Sequence, residues 1–435
     1  MSNLTDKRIN DFILSNQEAD ILVRQLLNIG EAMYKAGGEI SRIEDSLYRL
    51  GKRYGALHFS VYALTSILFV TAEFPGDYSI SQSRRITERE STNLSRIEEL
   101  NQLCRECAEH PLPVLVLQKR VLDILGKPAN PWMFYLGELI STFGFTFFFG
   151  GNLLDAIIAT LAVVLIIFLQ KYLKPLCSGL IFFNLLTSFI SGVFVCGLNR
   201  FILGLHVDQI LIGVIMVLIP GIAITNSMRY ILSGDTISSF EKLIDSLLQA
   251  FAIAAGFILA MYCLKTPVAV TVLEKTSLQI AIQIIAAMVG TLGFCMIFNS
   301  KTRNIIITTL GGGVCWTIYL LATHFGANAF ISALFATLLV GIYGEIAAHA
   351  VKVPTTVFFI PASLPLIPGK NLYYSVLGIL DQDWSMVRGN LIALALTAFG
   401  ISIGFALVIE CDQFIKKLHR KRNKVQAVNN QKDMF

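Results

Sequence analysis

Leu218-Ile219-Pro220-Gly221 recurs as Leu366-Ile367-Pro368-Gly369, 148 residues further along the chain. The match runs on without a gap. Ser227 meets Ser375, Ile231-Leu232 meets Ile379-Leu380, and Asp235 meets Asp383. Leu243-Ile244 meets Leu391-Ile392, Ile253 meets Ile401, and Gly256-Phe257 meets Gly404-Phe405. Apolar identities arise easily in hydrophobic sequence, so the weight rests on Pro220, Gly221, Ser227, Asp235 and Gly256. Both copies lie in stretches apolar enough for a bilayer. A duplicated membrane protein with Pro-Gly interruptions at matching places points to a transporter whose binding site lies at those interruptions.

Composition agrees with that reading. Of 435 residues, 54% are hydrophobic and only 15% are charged, against about a quarter charged in soluble domains. A net charge of +5 is small and is not gathered into one patch, so nucleic acid is not an expected partner. Eight cysteines are scattered, and Cys177, Cys196, Cys263, Cys295 and Cys315 fall in apolar segments, so no disulfide framework is read. Residues 1–20 are polar and lack the basic-then-apolar order of a signal peptide.

Apolar stretches long enough to cross about 30 Å of hydrocarbon begin at Trp132. They occupy roughly 132–150, 152–172, 176–198, 207–226 and 243–264. A second set follows at roughly 276–299, 304–323, 327–350, 353–376 and 389–410. The expected fold is therefore an α-helical polytopic membrane protein of about ten transmembrane helices in two sets of five. The fourth and ninth spans are interrupted by Pro-Gly. An odd five-span unit duplicated in one chain must enter the second time from the opposite face, so the repeats are expected to be inverted. Lys171, Lys174, Arg229, Lys242, Lys301, Arg303, Lys352 and the basic tail 416–424 then lie inside, and Arg200, Lys265, Lys275, Lys370 and Arg388 outside. That bias puts both termini in the cytoplasm.

Residues 1–127 read as a soluble cytoplasmic α/β domain. Ile21, Leu22, Leu26, Leu27 and Ile29 give a helical apolar face that stops at Gly37-Gly38. A second helix is expected over 39–54, with Asp45 and Arg49 paired one turn apart on its wet face. His58 to Thr71, then Pro75-Gly76-Asp77 and Tyr78 to Ile86, read as a β-hairpin. An amphipathic helix follows from Thr92 to Glu109. The remaining divisions are a first repeat at 128–268, a second at 269–412, and a basic cytoplasmic tail at 413–435.

Two segments carry a family resemblance. One is Gly38-Glu39-Ile40-Ser41-Arg42-Ile43-Glu44-Asp45 with Arg49-Leu50-Gly51-Lys52-Arg53-Tyr54-Gly55, and the other is Pro361-Ala362-Ser363-Leu364-Pro365-Leu366-Ile367-Pro368-Gly369. The chain resembles the threonine/serine exporter (ThrE-type) family over nearly its whole length. The resemblance implies a soluble N-terminal domain followed by two five-span halves. Those halves occur in some bacteria as separate polypeptides, in systems associated with succinate export. It implies hydroxy-amino acids or dicarboxylates as substrates.

Ionisable groups inside spans are costly unless they face a cavity or a partner. Glu138 lies deep in the first span, within GELISTFGF, as a coupling group or a carboxylate for a substrate amine. Glu345 and His349 lie four residues apart on one face of the eighth span, placed to exchange a proton or simply wetted at its cytoplasmic end. Asp155, early in the second span, is either a proton-coupling group or an N-terminal helix partner. At the breaks, proline removes a donor and glycine permits unwound backbone, so Pro220, Gly221, Pro368 and Gly369 are expected to line a substrate site. Asn184, Thr187, Asn226 and Ser227 offer polar contacts there, or serve as helix-helix glue. Asp235 and Asp383 read as caps beyond the broken spans, and Cys104-x-x-Cys107 lacks the second ligand pair a metal site needs.

No phosphate-binding loop appears. The expected function is a secondary transporter exporting threonine or serine across the cytoplasmic membrane, coupled to protons. Cofactors and metals are not implied, and homo-oligomers stay open. Dicarboxylate export is the alternative, with Arg229 or Lys370 as the extra cation. A membrane-anchored hydrolase or a sensor built on residues 1–127 is remote, because ten repeated spans exceed what anchoring requires.

Overall fold

The computed structural model describes residues 14–64, 66–86, 92–177, 179–218, 236–266 and 276–432. The chain divides into two compact units. One holds residues 1–136, 295–305 and 348–357, and the other holds 137–294, 306–347 and 358–435.

In the first unit, helix α1 (Asn16–Lys35) opens with a capping box. Ser15 accepts the Glu18 backbone N–H, and the Glu18 carboxylate accepts the Ser15 N–H. Leu22, Leu26, Ile29 and Met33 form its buried face, and Gly37 at φ +93° supplies the left-handed exit. Helix α2 (Ile40–Arg53) buries Ile43, Leu47 and Leu50. Its Asp45–Arg49 pair, 2.7 Å long, is more than half exposed on both sides, which makes it a solvated face.

Strands β1 (His58–Ala63), β2 (Ile67–Phe74) and β3 (Tyr78–Arg85) form an antiparallel meander in that order. The stretch expected as one arm of a hairpin is thus two strands. The reversal between Ala63 and Ile67 has no glycine or proline to announce it, and is closed by Leu64 N–H to Ile67 O at 2.8 Å. Leu68, Val70, Ala72 and Phe74 alternate inward, as a half-buried strand requires. Helices α3 (Leu94–Glu109) and α4 (Val114–Leu125) complete the layer.

Tyr54 is fully buried and donates to Leu112 O at 2.8 Å. Burial pushes the neighbouring Cys104 thiol up to about 12, and raises that of Cys107 as well. Thiolate is the reactive form. Both cysteines are therefore expected to resist iodoacetamide at pH 8 in the folded protein and to react after denaturation, a difference that peptide mass mapping reads directly.

Residues 295–305 join this unit through a specific set of bonds. Leu94 N–H donates to Phe298 O at 2.9 Å and Ser95 N–H to Asn299 O at 3.3 Å. The Asn299 amide donates to Asn93 Oδ1 at 3.1 Å. Glu98, buried on α3, accepts from Lys301 Nζ at 3.1 Å and Asn304 Nδ2 at 2.9 Å. Removing that carboxylate leaves donors in a dry site, which costs about 1–3 kcal/mol. Glu98→Ala is expected to speed amide exchange across 298–304 and lower the melting temperature. Glu98→Gln, which can still accept from Asn304, is expected to do less. Equal exchange rates in all three proteins would contradict this account.

The second unit is helical. The helices that build it, some running on into the first unit, are α5 (Pro131–Phe148), α6 (Leu153–Tyr172), α7 (Leu180–Leu198), α8 (Val207–Leu218) and α9 (Thr236–Cys263). Then come α10 (Ser277–Ile297), α11 (Thr302–His324), α12 (Ala329–Val351), α13 (Thr356–Ala362), α14 (Gly369–Leu380) and α15 (Trp384–Lys432). Among the described residues seven helices are long and apolar enough to cross a membrane: α6, α7, α10, α11, α12, Phe240–Cys263 of α9 and Trp384–Cys411 of α15. The chain is a polytopic membrane protein. Of the other three expected spans, α5 is 18 residues long and includes Glu138, the described part of the fourth is the short apolar helix Val207–Leu218, and the ninth holds the short apolar helix Thr356–Leu366.

Helix boundaries repeat along the chain. Phe148 and Ile297 end helices, while Leu153 and Thr302, Leu180 and Ala329, and Val207 and Thr356 begin them, each pair 149 residues apart. The turns after α5 and α10 repeat bond for bond. Gly151 N–H reaches Thr146 O at 2.9 Å, as Ser300 N–H reaches Cys295 O at 2.9 Å. Gly150 and Asn299 both sit at positive φ. The spacing falls to 148 only at Leu218 and Leu366, so one residue is lost within the ninth span.

The crossing of α5 and α10 maps onto itself under that shift. A Cβ on Gly144 would meet Gly290 N at 2.6 Å and Ala286 O at 3.1 Å. One on Gly293 would strike Ser141 N and Gly137 O. The α7–α9 and α12–α15 contacts correspond in the same way: Gly192 lies against Ala260 and Gly256 against Ser188, while Gly341 lies against Val408 and Gly404 against Thr337. Small residues let helix backbones approach where no hydrophobic force drives them together. One core gathers Ile166, Ile210, Ile253 and Phe257, and a second gathers the corresponding Cys315, Phe359, Ile401 and Phe405.

Candidate functional site

The ninth span is broken at the motif. Helix α13 ends at Ala362, a short 3-10 turn covers Leu364–Leu366, and Pro368 at φ −81°, ψ 47° precedes α14. Pro361, Pro365 and Pro368 each lack an N–H, so no continuous helical ladder runs through. Pro368 is half-buried and Gly369 buried. Helix α14 then packs against α15 of its own half and also against α8 and α9 of the first. Tyr373, Tyr374, Val376 and Leu377 belong to the core built from α6, α7, α8 and α9.

That placement gathers a polar group. The Tyr374 hydroxyl donates to Asp208 Oδ2 on α8 at 3.4 Å. Lys370 Nζ stands 5.6 Å above the centre of the Tyr374 ring. Asp208 is 4% exposed and the Tyr373 side chain is fully buried, with its hydroxyl 3.4 Å from Met261 S. In the fourth span the described part of α8 runs from Val207 to Leu218, the first residue of the first motif copy. The expectations for Pro220, Gly221, Asn226 and Ser227 fall outside the described residues.

Glu138 lies on α5 with 2% exposure. Gln170 Nε2 on α6 donates to its Oε1 at 3.0 Å, while Oε2 has no hydrogen-bond partner among the described residues. The Ser141 and Thr142 hydroxyls, one turn on, are fully buried and equally unpartnered, as are Thr187 and Ser191 on α7 and Thr291 on α10. A buried carboxyl with one amide donor, and two spare hydroxyls one turn along its own helix, can take or pass a proton or meet a polar guest. Asn184 is also buried on α7, where its backbone carbonyl accepts from Ser188 at 2.7 Å.

Asp155 takes the helix-partner reading. It forms a capping box with Asn152 at the start of α6. It also accepts the His206 backbone N–H at 3.0 Å and approaches the His206 ring Nδ1 at 2.8 Å. Glu345 is half-buried and His349 is exposed in the last turn of α12, which suits a wetted helix end. Asp383 caps α15, accepting from Ser385 N and Met386 N at 3.1 and 3.0 Å. Gln170, His206 and Asp208 are partners that the sequence did not single out. Asp208 alone left a signal there, as an acid inside an apolar run.

Long apolar helices, a span broken at its motif and ionisable groups sheltered among the helices define a multi-pass membrane transporter. One family model, described as a threonine/serine exporter, matches residues 24–264, and a second, "Threonine/Serine exporter, ThrE", matches 283–410. A threonine/serine exporter of Corynebacterium glutamicum is 23% identical over 331 residues, covering 73% of this chain and 67% of the relative. No solved structure matches. The chain belongs to the threonine/serine exporter family, which supports an amino-acid exporter.

Proposed function

We propose that this protein exports threonine and serine across the cytoplasmic membrane, driven by protons entering in the opposite direction. The observation that carries the coupling is Glu138, a buried carboxyl with one amide donor and a free second oxygen. Outward movement of a zwitterion against its gradient needs a second, downhill flux, and protons are the simplest for a chain without a nucleotide motif. The family descriptions name threonine and serine, and nothing favours a dicarboxylate over them.

The two halves, 128–268 and 269–412, act as inverted repeats about a binding site at the broken spans. The 149-residue spacing of helix ends and the self-mapping crossing of α5 and α10 support a two-fold relation between them. Lys301 is bonded to Glu98 of the N-terminal domain, which supports placing residues 1–127 and the 298–304 turn on one side, the cytoplasm. A cysteine at position 275 is expected to label from outside and one at position 352 only from inside. The opposite pattern would sink the topology.

Inverted vesicles under an imposed pH gradient test the function itself. Labelled threonine and serine are expected to accumulate, collapse of the gradient to stop accumulation, and labelled succinate to stay at background. Accumulation of succinate alone would overturn the substrate assignment.

A further inference from the structure

The proposed function leaves open what tells threonine and serine from amino acids without a hydroxyl, and the inference below rests on that reading. On α7, Asn184, Thr187 and Ser191 fall at i, i+3 and i+7, which aligns them on one helix face. Asn184 is 6% exposed, and Thr187 and Ser191 are fully buried. A hydroxyl inside a helix can donate to the carbonyl one turn back, as Thr146, Thr160 and Ser188 do in this protein. The Thr187 and Ser191 hydroxyls make no such bond and have no hydrogen-bond partner among the described residues. A donor left unpaired in a dry site is destabilising, so its presence there calls for a physical reason.

The second half supplies an internal control. At the spacing of 149 the row corresponds to Ala333, Ala336 and Val340 on α12, all buried in one core with Phe359, Ala362 and Leu366. Small apolar side chains therefore meet the packing needs of these positions. Ser188 and Thr337, the equivalent residues beside the row, keep one bond in both halves. Ser188 donates to Asn184 O and Thr337 to Ala333 O, each at 2.7 Å. The hydroxyl that both halves share is satisfied locally, and the two found only in the first half are not. Helix α8 packs on α7, and its residue Leu218 corresponds to Leu366 of the second core. The polar row thus lies on a helix packed against the fourth span. We propose that Thr187 and Ser191, with Asn184, form a neutral subsite that recognises the side-chain hydroxyl of threonine or serine. Each hydroxyl can donate to a guest hydroxyl or accept from it. A guest without that group leaves the site's own polar atoms unpaired, which is how a site rejects an analogue one hydroxyl short. Glu138 lies on another helix and keeps its part in proton transfer.

Valine is threonine with a methyl in place of the hydroxyl, and alanine is serine without it, so these ligand pairs read the subsite directly. Purified protein in nanodiscs is titrated calorimetrically with threonine, valine, serine and alanine. Wild type is expected to prefer threonine over valine, and serine over alanine, by about tenfold or more, the scale of one buried hydrogen bond. Thr187→Val, which keeps the shape, is expected to weaken threonine about tenfold and to leave valine unchanged or tighter. Ser191→Ala is expected to lower the same preference severalfold. Thr187→Ser keeps the hydroxyl and is expected to stay within a few-fold of wild type. Ser188→Ala removes the satisfied hydroxyl and is expected to leave the preference intact. Thr187→Val is also expected to melt at or above the wild-type temperature, which a hydroxyl needed for folding would not allow. Equal loss of threonine and valine affinity in Thr187→Val overturns the subsite. So does unchanged threonine affinity with slowed export, the mark of hydroxyls that hold water. A wild type that neither binds nor exports threonine or serine ends the proposed function. One that exports both without distinguishing them from valine and alanine overturns this inference alone.

Discussion

Gly293→Leu is expected to leave little folded protein in the membrane. A Cβ at that position falls on the backbone of α5, 2.7 Å from Gly137 O and closer still to Ser141 N. Backbone cannot rotate away as a side chain can, so the helices must separate. Overpacking a tight core costs about 1–3 kcal/mol even when side chains yield, and here nothing can yield. Separation also pulls Phe145 from Phe294, whose rings now pack edge to face with centroids 5.8 Å apart. Gly144→Leu is expected to act alike, because its Cβ would meet Gly290 N and Ala286 O. Leucine at Gly197, where a Cβ meets nothing within 4 Å, is the control. Membrane yield and detergent melting temperature read all three. Wild-type values for Gly293→Leu would mean that the α5–α10 contact is not a principal joint of the fold.

Glu138→Gln is expected to abolish gradient-driven export, by about a hundredfold or more, the scale on which positioned proton-transfer groups act. The substitution preserves size and still offers Gln170 an acceptor, so folding is expected to survive. Exchange of internal for external threonine at equal pH is expected to continue, because it needs the binding site but no net proton movement. The comparison variants are Glu345→Gln and His349→Ala. His349 is exposed at a helix end and Glu345 only half-buried, so both are expected to retain coupled export. A Glu138→Gln protein that exports at the wild-type rate with unchanged pH dependence would end Glu138's candidacy as the proton carrier.

The duplication was legible because proline and glycine resist replacement where a helix must break. It was legible only in part. The first three spans repeat at 149 rather than 148, and their constraint is small volume at a crossing. Ser141 answers Gly290 and Gly137 answers Ala286 with no shared identity, leaving Gly144-Phe145 and Gly293-Phe294 as the visible trace. Glu138 stood out because an acid in an apolar run is rare. Its partner Gln170 lies 32 residues away on another helix, and tertiary packing alone brings them together. Asp155 showed its capping role locally, through Asn152, and concealed His206 for the same reason. Tyr374 carried no signal, since an aromatic in a span is commonplace. In residues 1–127 the helices were legible from their apolar faces, whereas the strand break before Ile67 was not, because residues 64–66 hold no glycine, proline, asparagine or aspartate to mark it.

The bonds between α3 and residues 298–304 carry a consequence for dissection of the protein. Sequence places the edge of the soluble domain near residue 127, and a protein begun at Trp132 would seem to keep every span. It would instead strip Phe298 O and Asn299 O of their donors, and Lys301 and Asn304 of Glu98. The amputated surface would be a raw edge of polar backbone and one stranded cation at the end of α10. The N-terminal domain is masonry whose courses include residues 295–305, drawn from far along the sequence.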